Sequence, residues 1–114
     1  MIRVTSSIFV ADPIRRAGIA GAAATVSRPG AEEAGAILLT VNRMDGTVDL
    51  YVPAPQSAFT DPSDTDRLFT RLRERAVPAE IAALIAREVR FDPDVWVVAV
   101  ADRQGRAFVD IARD

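Results

Sequence analysis

Apolar and polar positions along this chain follow two rhythms. Ile8, Phe9, Val10, Ile14, Ala17 and Ile19 lie at mixed spacings that predict a first helix over residues 7–20. Asp12-Pro13 interrupts it, and the pair also reads as the cap and first residue of a shorter helix behind an extended 8–10. From Ala22 the pattern shortens to extended runs with turn signals between them. Residues 22–28 predict a strand stopped by Pro29-Gly30, and residues 35–42 a buried strand. Met44-Asp45-Gly46 supplies a turn that tolerates left-handed backbone, and 47–52 returns with Val48, Leu50 and Val52 on one face.

Two prolines remove ladder donors from Pro53-Ala54-Pro55-Gln56, so this segment is expected to leave the sheet extended. Residues 67–75 fit two patterns. A helix groups Leu68, Phe69, Leu72 and Ala76; a strand alternates Leu68, Thr70 and Leu72 against Phe69, Arg71 and Arg73. The alternation is followed here, giving an edge strand. Residues 78–90 predict a helix, with proline in its first turn and Ile81, Leu84, Ile85 and Val89 as its apolar face. The near-continuous apolar run 95–101 predicts a central strand, and Gly105 turns the chain into a second hairpin at 107–111. The expected fold is α+β: a single domain over 1–114, with a largely antiparallel sheet of about five to six strands and two helices.

Three stretches carry a family resemblance. They are Gly30-Ala31-Glu32-Glu33-Ala34-Gly35-Ala36-Ile37, Asp49-Leu50-Tyr51-Val52-Pro53-Ala54-Pro55-Gln56 and Arg90-Phe91-Asp92-Pro93-Asp94-Val95-Trp96-Val97-Val98. In this order the chain resembles the small alphaproteobacterial proteins of domain-of-unknown-function family 1491. Val52, where the family phrase has glycine, and Pro13 in the first helix depart from that pattern. The resemblance implies a bacterial source and a one-domain architecture, and it transfers no catalytic residue.

Composition narrows the chemistry. All 14 basic residues are arginine, against 16 acidic ones, and there is no lysine, histidine or cysteine. Thiolate and Ser-His nucleophiles, lysine Schiff bases and Cys/His zinc sites are therefore excluded. The net charge of −2 argues against a dedicated nucleic-acid binder. With no signal-peptide core and no membrane-length apolar run, a cytoplasmic protein is expected, without a membrane association or a cofactor.

Candidate surfaces follow from what folding leaves unexplained. A non-catalytic interaction or regulatory module heads the readings, with a protein partner or a second copy as its ligand. Its candidate surface comprises Glu32 and Glu33, the rigid Pro53, Pro55 and Gln56 segment, and the Arg90, Asp92, Asp94 and Trp96 junction. An alternative is a small metal-dependent hydrolase using Asp92 and Asp94 with a carboxylate from elsewhere. The other is anion or nucleic-acid binding by Arg67, Arg71, Arg73 and Arg75, with Phe69 among them on one strand face. Asp61, Asp64 and Asp66 read as solvated turn residues.

Overall fold

The structure is a computed structural model describing residues 5–55 and 67–112. Gln56, Asp61, Asp64 and Asp66 lie outside the described residues. The elements run α1 (Ser6–Phe9), α2 (Ala11–Ile19), β1 (Ala23–Arg28), β2 (Ile37–Asn42), β3 (Val48–Pro53), β4 (Phe69–Ala76), α3 (Pro78–Phe91) and β5 (Trp96–Ala101). The five strands form one sheet in the order β1-β5-β2-β3-β4. Every neighbouring pair is antiparallel except β5 with β2. An α+β architecture with a mostly antiparallel sheet is therefore present.

The predicted first helix is broken at Val10, which caps α2. Pro13 then occupies the first turn of α2, where a missing N–H costs no helical bond. Gly21, at φ +82°, closes α2: the Ala22 N–H reaches the Ala17 carbonyl and the Gly21 N–H that of Gly18. That pair of bonds is a Schellman ending, which points the chain into β1. The β2–β3 hairpin turns at Met44 (φ 65°) and Gly46 (φ 89°). Asn42 Oδ1 accepts the Met44 N–H, and Asp45 Oδ1 accepts that of Thr47.

Both sheet faces are covered, unequally. Ile37, Leu39, Val41, Tyr51, Phe69, Trp96, Val98 and Val100 point to one side, packed with Val10, Ala107 and Val109. Leu38, Val95 and Val97 point to the other, against Ile85 and Val89 of α3. The unbroken apolar run of β5 follows from this, since both its faces lie under covering layers. Fully burying each such side chain contributes roughly 1.5–3 kcal/mol.

Two expectations are corrected. Residues 107–111 form no hairpin with β5, because β1 and β2 already occupy both of its edges. Ala107 and Val109 are instead buried against the sheet, and Ile111 makes one parallel bridge to Phe69. Residues 67–75 do yield an edge strand, but its arginines do not share one face. Register shifts on either side of Leu50 place Arg71 opposite Tyr51 and Arg73 opposite Leu50, on different sides of the sheet.

Candidate functional site

One end of the sheet is closed by a loop held to the start of β5. The Ala31 N–H donates to the Asp94 carbonyl at 2.9 Å, and the Trp96 indole Nε1–H donates to the Ala31 carbonyl at 2.7 Å. Gly30 and Gly35 make this approach possible. A Cβ at either would stand within 2.9 Å of Trp96 Cδ1 and closer still to the Asp94 carbonyl oxygen. Arg28 Nη1 crosses from β1 to the carbonyls of Pro93 (3.0 Å) and Val95 (2.7 Å). The Ser6 and Ser7 amides, at the start of α1, donate to the carbonyls of Glu33 and Glu32.

Most of the residues singled out in the sequence lie at this end. The Glu32 and Glu33 side chains are exposed on the pinned loop, and Trp96 is buried behind it. Pro53 pairs with Phe69 as the last residue of β3 and is exposed, as is Pro55. Trp96 lies beside Ile37, and the β2–β3 register carried two residues further sets Ile37 beside Pro53, so these residues share one row. Arg90 is exposed on the last turn of α3, and no salt bridge joins it to Asp92 or Asp94 among the described residues. Asp92 Oδ1 accepts the Asp94 N–H at 3.1 Å, an Asx turn that ends the helix.

The two alternative chemistries find little support. Among the described residues no three acidic side chains converge on a point, and none there joins Asp92 and Asp94 as the third carboxylate that a hydrolytic metal centre needs. The arginines of β4 are spent on local pairs. Arg71 meets Glu74 at 3.3 Å, Arg73 meets Glu80 of α3 at 2.7 Å, and Arg75 meets Asp45 at 3.4 Å. Arg67 lies over the Phe9 ring, 5.4 Å from its centroid.

The opposite end of the sheet carries two ion pairs that pattern reading did not find. Asp49 is fully buried and takes Arg43 in a two-oxygen grip, with Nε at 3.1 and 3.0 Å and Nη2 at 2.7 Å. Its Oδ1 also accepts the Arg75 N–H at 2.7 Å, holding Arg75 at φ 51°. The carboxylate raises the Arg43 guanidinium above its ordinary value, chiefly by hydrogen bonding. Asp102, also buried, receives Arg106 Nε, Nη2 and backbone N–H between 2.8 and 3.0 Å. Hydrogen bonding to that side chain holds the Asp102 carboxyl at about 2. The available signal was Asp49 alternating with Tyr51 on the core side of a strand. Both pairs stabilise turns and leave no reactive group free.

The surface that folding leaves unfilled lies under α3. The helix packs its Ile85 and Val89 over Val52, Leu38 and Val97, towards the β3 side of the sheet. Five strands spaced about 4.8 Å apart make a face roughly 19 Å wide, about twice the width of one helix. Along β5 the residues on this face shrink from Val97 to Ala99 and Ala101, and β1 adds only Ala23 and Thr25. The result is a groove of about 450 Å³ floored by these small side chains and walled by Ala82 and Ile85 of α3. It reaches the edge strand β1 at Ala23 and Thr25. Its volume falls in the range of roughly 300–1,000 Å³ usual for ligand sites, and its lining is mostly apolar, with Thr25, Thr40 and Asn42 as its polar residues.

Comparison with known proteins agrees with this architecture. The family model described as a protein of unknown function (DUF1491) matches residues 4–110. The solution structure of protein Atu0922 from A. tumefaciens is 40% identical, with a TM-score of 0.85, covering 99% of this chain and 98% of that one. A crystal structure of a DUF1491 family protein from Caulobacter crescentus is 35% identical, with a TM-score of 0.78, covering 99% and 100%. An NMR structure of a DUF1491 family protein from the same organism is 34% identical, with a TM-score of 0.79 and full coverage of both chains. Among curated proteins the comparison finds no match. With its family model spanning almost all of its length, the chain belongs to the DUF1491 family.

Proposed function

We propose that this chain is a non-catalytic, cytoplasmic protein-interaction module, acting as one domain over 1–114, with the groove beside α3 as its binding face. The observation that carries this reading is the groove itself: an apolar concavity on a sheet face where α3 stops half-way. Covering such a surface with apolar groups contributes roughly 25 cal/mol per Å² removed from water. The polar groups that catalysis would need are bound up elsewhere, in turns and ion pairs.

The strand-entry end is the second candidate surface, through Glu32, Glu33, Pro53, Pro55, Arg90, Asp92, Asp94 and Trp96; Gln56, expected with them, lies outside the described residues. What favours it is the rigid presentation of two exposed glutamates on a loop pinned by Trp96. A paired affinity purification separates the two. Ala82 is exposed on α3, so Ala82→Glu charges the groove wall with little effect on folding. A stoichiometric partner held by the native chain and lost from this variant supports the groove; one lost only from Glu32→Ala/Glu33→Ala moves the site to the other end.

A further inference from the structure

The two edges of the sheet are built differently. β4 has the features that discourage another strand from pairing: Arg71, Arg73, Glu74 and Arg75 along its length, and two register shifts against β3. β1 has almost none. Residues 23–27 read Ala-Ala-Thr-Val-Ser, without charge or proline, and residues 23–26 keep an uninterrupted register with β5. The one charged residue of β1, Arg28, is folded back onto the carbonyls of Pro93 and Val95 and so does not guard the edge. Among the described residues, 23–27 make no backbone hydrogen bond beyond their ladder with β5. Ala23 and Thr25 are exposed and line the groove.

We infer that β1 accepts an extended segment of a partner protein as a sixth strand, with large apolar side chains at alternate positions leaning into the groove. The inference rests on the groove reading and names its occupant. Backbone groups along β1 supply the affinity common to strand addition, and the groove supplies the side-chain preference. A second copy of this chain fits poorly. Its own β1 would bring only small side chains such as Ala23 and Thr25 to the groove, which these cannot fill. A six-residue ladder is about 20 Å long, and one strand of contact falls well short of the ~1,200 Å² that a stable dimer buries.

The test uses a displayed library of random ten-residue peptides selected on the full chain, with hits synthesised and titrated. The selected peptides are expected to carry large apolar residues at i, i+2 and i+4, and to bind Ala82→Glu at least about tenfold more weakly. Each hit is then N-methylated on alternate residues, in both registers. A strand added at an edge uses only every second amide, so one register should abolish binding and the other leave it nearly unchanged. A helix needs all of its amides. Loss in both registers, with apolar residues at i, i+3 and i+7, overturns strand addition while leaving the groove as a helix site. Binding indifferent to Ala82→Glu, or no selectable peptide, overturns both readings. A dimer in sedimentation that Thr25→Lys dissolves assigns the edge to a second copy and overturns the proposal.

Discussion

Trp96 and Ala31, 65 residues apart, are joined by one hydrogen bond from the indole Nε1–H to the Ala31 carbonyl at 2.7 Å. The bond fixes the loop before β2 onto the first residue of β5, so the two parallel strands start level, Ile37 beside Trp96. Trp96→Phe keeps an aromatic ring in the core and removes the donor. The expected loss is about 1–3 kcal/mol in urea unfolding, the cost of leaving a partly buried carbonyl without its partner.

Glycines of the same chain should respond in opposite directions. A Cβ at Gly35 would stand 2.3 Å from the Asp94 carbonyl oxygen, and that atom is backbone and cannot swing away. Gly35→Ala is expected to cost more than about 2 kcal/mol. Gly18 lies inside α2 with nothing within 4 Å of its would-be Cβ, so Gly18→Ala should stabilise by roughly 0.5–1 kcal/mol. Thermal melts of the two variants check both signs.

Among the described residues, buried Asp49 is satisfied by Arg43 and the Arg75 amide. Asp49→Ala leaves the Arg43 guanidinium, whose side chain is 9% exposed, without a counter-charge. The expected destabilisation is about 3–5 kcal/mol, whereas the double variant Arg43→Met/Asp49→Leu should recover much of it. Chemical unfolding of the set tests the pair as a unit.

Acid should expose the second pair. Hydrogen bonds from the Arg106 side chain and amide favour ionised Asp102 in the folded chain, at about 2 against an ordinary 3.8. Because the folded value is the lower one, this contribution is fully present above about pH 4 and is lost as pH falls towards 2. Arg106→Ala should flatten that part of the stability profile, read from melting temperature against pH.

Locally encoded features were legible in the sequence. The β2–β3 hairpin follows from Met44-Asp45-Gly46 between two apolar runs, α3 from Pro78 and the spacing of Ile81, Ile85 and Val89, and β5 from its unbroken apolar run. Insertion of β5 between β1 and β2 was not, because it joins strands about 60 to 80 residues apart through no local signal. That insertion closed the expected second hairpin and sent residues 107–111 beneath the sheet. The Arg71 and Arg73 faces were misread for another reason: the β4 bulges break the two-residue alternation on which the expectation rested. The strand-entry cluster was visible as residues but not as a place. The groove had no signature, since it is defined by where α3 stops across the sheet.

The most direct measurement places a photo-crosslinking amino acid singly at Ala82, at Thr25 and at Glu33 in the chain expressed in its own cell, and compares the adducts. A discrete protein adduct from Ala82 and Thr25, absent at Glu33, is the result predicted for a partner seated beside α3 and along β1. Adducts formed only from Glu33, or none from the groove positions in a folded protein, would contradict the account.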